Sequence, residues 1–277
     1  MTKRKVLITG ACGVIATKII SGLQERYDLQ MTDITKTNID GVTMNAVQTA
    51  DLLDTNRDAY RHLFRNVDTV IHSAFVHSKP GEEPFFAELA NVKMAYNVYQ
   101  TCVEENVRRA VVISSNHAGD YYENLIRKGL MLSVTPDMPP LSDNYYGWAK
   151  IAYEALGFVF ATGKMNDQKK LQNVQIRIGG PRETDIDSCQ PGDLVKMHRA
   201  LGAYLSLRDE LQLIEKSIET VSMDDENGIP FQIFYGVSNN THNFWDIGNA
   251  RRLIGYDPQD NSSVRFAKQV ARITLGS

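Results

Sequence analysis

Residues 6–16, VLITGACGVIA, constrain this chain more than any other stretch. A short apolar run ends in a glycine turn and opens into an apolar helical pattern. Gly10 lets the chain turn sharply off a strand, Gly13 lets backbone approach a pyrophosphate, and Ala16 lets the next helix pack closely on its strand. The helix N-terminus then offers unpaired N–H groups to phosphate oxygens. A lone Gly-x-x-Gly-x-x-Ala is weak evidence, because glycine turns are common. Here a strand precedes it, a helix follows, and Asp33 closes the next strand about 20 residues on. That context predicts a dinucleotide-binding turn built from Gly10, Cys12, Gly13, Val14 and Ile15. Asp33 would accept hydrogen bonds from ribose hydroxyls and repel a 2′-phosphate, which selects NAD over NADP. Cys12 reads as a small filler of the turn rather than a reactive thiol.

Strand patterns recur at 29–33, 68–72, 111–115 and 174–178, with helical patterns at 16–25, 84–106 and 146–160 between them. Short apolar strands alternating with helices of about 10 or more residues predict a Rossmann-type α/β fold, a doubly wound parallel sheet covered on both faces. Asp51-Leu52-Leu53-Asp54 reads as the opening of an amphipathic helix, whose first carboxylate could meet an adenine edge. Ser73 and Ala74 are small residues at a strand's carboxyl end, where such a sheet places its ligand. His72, just before them, reads as a packed, hydrogen-bonded histidine.

From 116 to 144 the pattern loosens, and Pro136, Pro139 and Pro140 leave a loop or lid with one short helix at 122–128. Capping residues at 142–144 precede the helix at 146–160. Past 179 the rhythm fades into helices at 194–201 and 206–219, a strand at 231–235 and a last helix at 246–254 closed by Gly255. The expected organisation is a cofactor-binding domain at 1–178 and a small substrate-binding part at 179–277, packed on the same body with a cleft between.

Bulk properties exclude several roles. A net charge of −3 supplies no basic patch for nucleic acid and no attraction to membranes. No apolar run approaches the ~20 residues that span a bilayer, and residues 1–5 lack the apolar core of a signal peptide. Three scattered cysteines without a CxxC pair suit a reducing cytoplasm. Six histidines without ligand spacing give no reason to expect a metal.

The second informative stretch is Tyr146-Gly-Trp-Ala-Lys150. Spacing of i and i+4 puts the phenol and the ammonium on one helix face. A free tyrosine, with a pKa of ~10, is a poor base at neutral pH. A nearby ammonium is expected to lower that value, so that the pair can take a proton from a substrate hydroxyl. Ser114 and Ser115, ending the preceding strand, can orient the same oxygen.

Taken together, these features resemble the short-chain dehydrogenase/reductase superfamily, extended type, over nearly the whole chain. The resemblance implies Ser115, Tyr146 and Lys150 as the catalytic set. Further cofactor contacts are expected at Asp51, Leu52, Ser73, Ala74 and Asn91, beside Tyr146 and Lys150 themselves. Within the superfamily, SSNH at 114–117, YYG at 145–147, RIG at 177–179, YGVSNNT at 235–241 and GYDPQD at 255–260 are similar to the uronate dehydrogenase family. Members of that family oxidise C1 of a hexuronic acid to the aldarolactone with NAD. The similarity implies sugar contacts at His77, Ser78, Asn116, His117 and Gly180, and gives the substrate carboxylate to Arg199, with Arg182 in reserve. It also implies a homodimer or higher homo-oligomer through the helices at 84–106 and 146–160.

This sequence departs from the family pattern at four places. Ala16 replaces the usual third glycine, Gly180 stands where a serine is frequent, His77 and Ser78 replace another serine stretch, and the loop 116–144 is longer. Three other roles share the scaffold. An aldose or glucose 6-phosphate dehydrogenase would use Arg199 equally well, since a guanidinium fits phosphate and carboxylate alike. A nucleotide-sugar epimerase or dehydratase is another. A dehydratase needs paired carboxyls where Asn116 and His117 stand. An epimerase stays open, although the ~100 residues after 179 leave little for a nucleotide-binding second domain. A non-enzymatic cofactor sensor would have little use for the Ser115–Tyr146–Lys150 set.

Overall fold

The computed structural model describes residues 3–275, so Met1 and Thr2 of the leader reading lie outside the described residues. The chain runs β1 (Lys5–Thr9), α1 (Val14–Arg26), β2 (Asp28–Asp33), β3 (Val47–Thr49), β4 (Thr69–His72), α2 (Pro84–Glu104) and β5 (Arg109–Ser115). It continues through α3 (Tyr121–Arg127), α4 (Tyr145–Thr162), β6 (Gln172–Ile178), α5 (Thr184–Asp187), α6 (Leu194–Ala203) and α7 (Leu207–Glu219). The last elements are β7 (Phe231–Gly236), α8 (Gly248–Ile254), α9 (Ser262–Arg265) and α10 (Ala267–Leu275).

The strands form one sheet in the order β3-β2-β1-β4-β5-β6-β7, and every neighbouring pair is parallel. This is the expected Rossmann-type arrangement. The order reverses between β1 and β4, and a doubly wound sheet opens a ligand crevice at such a switch point. Side chains of β1 alternate between two cores: Val6 and Ile8 join Ile19 and Leu23 of α1 and Leu213 of α7. Leu7, on the opposite face, joins Val98 and Tyr99 of α2 and Ala149 and Tyr153 of α4. Burial on both faces explains why these strands read as continuous apolar runs. No helix of the described residues is long and apolar enough to cross a membrane.

Three expectations change. Residues 51–54 begin no α-helix; turns and two 3-10 segments, Arg57–Ala59 and Arg61–Phe64, follow instead. Asp51, Asp54 and Asn56 each accept a backbone N–H two residues on, at 2.9, 2.8 and 3.2 Å, and such local bonds compete with helix. The strand at 231–235, expected in the C-terminal part, pairs with β6 and extends the main sheet. The helix ended by Gly255 is not the last, because α9 and α10 follow and close a third cluster with Ile186, Leu201 and Tyr204 through Phe266 and Ile273.

Candidate active site

The cofactor turn is tight for a measurable reason. Gly10 sits at φ +70°, and a Cβ there would lie 2.4 Å from the Ala74 Cα. The Ser73 hydroxyl donates to the Thr9 carbonyl at 2.8 Å, drawing the end of β4 onto the turn. Gly13 caps α1 without any side-chain bond to the first N–H groups, and its own N–H closes the turn on the Gly10 carbonyl at 3.0 Å. Asp33 stands at the same edge, its Oδ2 accepting the Cys12 N–H at 2.9 Å. The Cys12 thiol donates to the Thr35 carbonyl, and burial beside Asp33 pushes its pKa up, as befits a filler. A glycine cradle, an uncapped helix N-terminus and a carboxylate at the end of β2 fit a dinucleotide.

Other expected cofactor residues divide. Val14 and Ile15 form the first turn of α1, and Ala74 lies against Gly10. Exposed Asp51 and buried Leu52 follow β3 directly, next to Asp33, whose carbonyl accepts the Ala50 N–H at 2.9 Å. Asn91 is fully buried and bonded to Val76 through both amide atoms, at 2.7 and 2.9 Å. It therefore anchors the segment after β4.

Ser115 ends β5 and caps the turn that follows, its Oγ accepting the His117 N–H at 3.2 Å. Tyr146 opens α4, whose N-terminus is capped by Asn144 accepting the Gly147 N–H at 2.9 Å. Gly147 has no room for a side chain: a Cβ would come within 2.3 Å of the His117 carbonyl. This close approach brings the His117 ring edge-on to the Tyr146 ring, centroids 5.4 Å apart, while Phe75 flanks Tyr146 at 5.5 Å. Lys150 is buried, donates to the Ile113 carbonyl at 3.0 Å and lies 5.5 Å from the Tyr146 ring centre. The three expected catalytic side chains thus converge.

Electrostatics correct one expectation. Burial pushes the Tyr146 phenol above its ordinary pKa, and the Ser115 hydroxyl bond only partly opposes that. Burial lowers Lys150 itself to about 8, against the pull of Glu88 and Glu154. His72 is buried and held neutral, its pKa lowered to about 3 by burial and then by Lys150; its Nδ1 pairs with the Thr9 hydroxyl at 2.8 Å.

A cavity of about 180 Å³ is lined by His117, Asp120, Glu123, Asn124, Arg127, Asp143 and Arg199. The His117 Nδ1 meets Asp120 Oδ2 at 2.5 Å. Arg199 is not free: its Nε donates to both Glu123 oxygens at 2.9 and 3.0 Å and its NH2 stands 3.6 Å from Asp120. Glu123 is buried, which raises its carboxyl pKa against the pull of Arg199. Asn116 is buried with its Nδ2 unpaired, and the Asp120 Oδ1 is likewise without a hydrogen bond. His77 and Ser78 are exposed on the segment after β4, the His77 ring against Phe75 at 4.9 Å. Gly180 contributes backbone only, bonded to Ala203 and Leu205. Exposed Arg182 pairs loosely with Asp185 at 3.6 Å and lies near enough to Tyr146 to act on its phenol.

Sequence reasoning missed Asp120, Glu123 and Arg127. The i, i+4 spacing of Glu123 and Arg127 on the short helix expected at 122–128 was an available signal; Asp120 had none.

Residues 6–163 match the NAD dependent epimerase/dehydratase family, and the chain belongs to it. It is accordingly an enzyme of the short-chain dehydrogenase/reductase type whose cofactor is NAD. The chain is 30% identical to an NAD-dependent glucose-6-phosphate dehydrogenase of Haloferax volcanii, over 93% of its own length and 94% of that relative's. It is 29% identical to a uronate dehydrogenase of Pseudomonas putida, over 93% and 85% of the two lengths. The fold is that of the crystal structure of uronate dehydrogenase from Agrobacterium tumefaciens, with TM-score 0.75, 24% identity, and coverage of 99% and 91% of the two chains.

Proposed function

We propose that this protein oxidises the C1 hydroxyl of a monosaccharide to a lactone with NAD, and that the sugar is a hexuronate. One observation carries this: His117, whose ring meets that of Tyr146 at 5.4 Å, joins the converging Ser115, Tyr146 and Lys150 to a cavity of about 180 Å³ whose wall includes Arg199. His117 and Asp120 on the cavity wall supply polar groups for hydroxyls. Relatives bearing sugar-dehydrogenase names along nearly the full chain support the same class.

Gly10, Gly13 and the first turn of α1 would hold the pyrophosphate, and Asp33 the adenosine ribose. Bound NAD supplies the hydride acceptor. Ser115 Oγ orients the sugar oxygen, and Tyr146 Oη takes its proton. Because burial raises the phenol, the proton-accepting form grows with pH, so kcat should climb through the alkaline range. Lys150, 5.5 Å from the Tyr146 ring centre, is charged only below about pH 8, so its support of the negative phenol fades as pH rises. The segment after 179 contributes Arg199, and the fully buried or shielded thiols suit a reducing cytoplasm. Phe86, Leu89 and Tyr96 of α2 and Tyr145, Trp148 and Phe158 of α4 are exposed apolar residues that a homodimer through these two helices would cover.

A neutral aldose is the second reading, favoured by the pairing of Arg199 with Glu123. NADH formation with glucuronate, galacturonate, glucose 6-phosphate and glucose, each with NAD and NADP, decides. The highest kcat/KM is expected with a uronate and NAD. No NADH from any sugar would overturn the proposal, and a clear preference for glucose would move it to the second reading.

A further inference from the structure

We propose that Glu123 and Arg127, both on α3, complete the subsite that Arg199 begins. Glu123 is a positioning residue that holds two guanidiniums side by side, and together they take one carboxylate of the substrate. This rests on the sugar-dehydrogenase reading above and specifies the chemistry of its far end.

Glu123 Oε2 accepts from Arg127 NH2 at 3.0 Å and from Arg199 Nε at 3.0 Å, while Oε1 accepts from the same Nε at 2.9 Å. The carboxylate is buried at 8% side-chain exposure, whereas Arg127 and Arg199 keep 42% and 30% and line the cavity. Glu123 lines the cavity too, but exposes far less of itself than the two arginines it holds. Each guanidinium has five N–H donors, and Glu123 engages only one edge of each. Asp120 is engaged by the His117 ring and by the Asn144 amide at 3.0 Å, so Glu123 is the acid bonded directly to both arginines. Glu123 and, at 3.6 Å from Arg199, Asp120 together offset both guanidiniums, so a phosphate dianion would add more uncompensated charge here than one substrate carboxylate. Asp143, also on the cavity wall, adds to the disadvantage of a dianion.

The test is calorimetric titration of glucuronate into the NAD-loaded protein, alongside KM and kcat for glucuronate, glucose 6-phosphate and glucose. Arg127→Ala should weaken glucuronate binding and raise its KM about tenfold, while the KM for glucose should move far less. Glu123→Gln removes the negative charge beside the arginines, so the KM ratio should shift toward glucose 6-phosphate by about tenfold. A merely structural Glu123 would raise KM for all three sugars alike. Glucuronate affinity equal in wild type and Arg127→Ala overturns the subsite, as does a wild type that fails to bind glucuronate. Arg127-dependent binding without NADH formation from any sugar leaves the subsite standing and removes the dehydrogenase reading instead.

Discussion

Two glutamate–arginine pairs sit within this molecule at different depths. Glu154 and Arg177 keep only 4% and 2% side-chain exposure, and their bonds close on themselves. Glu154 accepts from Arg177 Nε and NH2 at 2.8 Å each and from the Ser114 hydroxyl at 2.8 Å, while Arg177 NH1 reaches the Tyr235 hydroxyl at 3.0 Å. Glu123 and Arg199 form the same chemical pair, yet the arginine retains 30% exposure toward a cavity. A pair saturated on both sides fixes the core behind the catalytic strand; a pair saturated on one side can still meet a ligand. Depth, rather than residue type, separates scaffold from site.

That contrast can be broken most forcefully at its buried end. Glu154→Ala would strand Arg177 without a counter-charge and should cost about 3–5 kcal/mol of stability, measured by denaturant unfolding. Lys150 is a buried charge with no bonded carboxylate, so it should behave oppositely. Its folded pKa, about 8, lies below the ordinary 10.5, so burial opposes folding wherever the group is charged, fully below pH 8. The cost fades as pH rises from 8 to 10.5. Lys150→Met should therefore stabilise by about 2 kcal/mol at pH 7 once the lost hydrogen bond is subtracted, with the gain vanishing toward pH 10.5. Turnover should collapse in the same variant.

Charges at the open edges should show small stability effects and visible binding effects. Asp33→Ala should erase a preference for NAD over NADP of at least about tenfold, or ~1.4 kcal/mol, read from kcat/KM with the two cofactors. Glu123→Gln should change stability by less than about 1 kcal/mol, since its arginines remain partly in water. An unfolding cost as large as that of Glu154→Ala would erase the distinction between the two pairs.

Legibility in the sequence follows the same division. The cofactor edge is written in local signals: Gly10 and Gly13 carry the turn, and Asp33 ends a strand one βα unit later. Sheet burial makes the strands apolar runs, so β1, β2, β4, β5 and β6 were readable, while β3, only three residues long, was not. Residues 51–54 misled because buried Leu52, Tyr60, Leu63 and Phe64 mimic a helical stripe, although Asx turns had claimed the backbone. The sugar side depends on pairs far apart in sequence: Glu123 meets Arg199 across 76 residues. No periodicity carries such a contact. Nor could spacing alone show that burial would set the direction of the Tyr146 pKa.

The central claim is that Tyr146 exchanges the proton of the sugar hydroxyl. Tyr146→Phe keeps the ring between His117 and Phe75 and removes only the phenol oxygen. The decisive measurement is kcat for NADH formation by this variant on the best wild-type sugar, with NAD affinity measured in parallel by fluorescence titration. A fall of ~10²-fold or more with NAD affinity unchanged is the expected result. Turnover near that of the wild type would contradict the account.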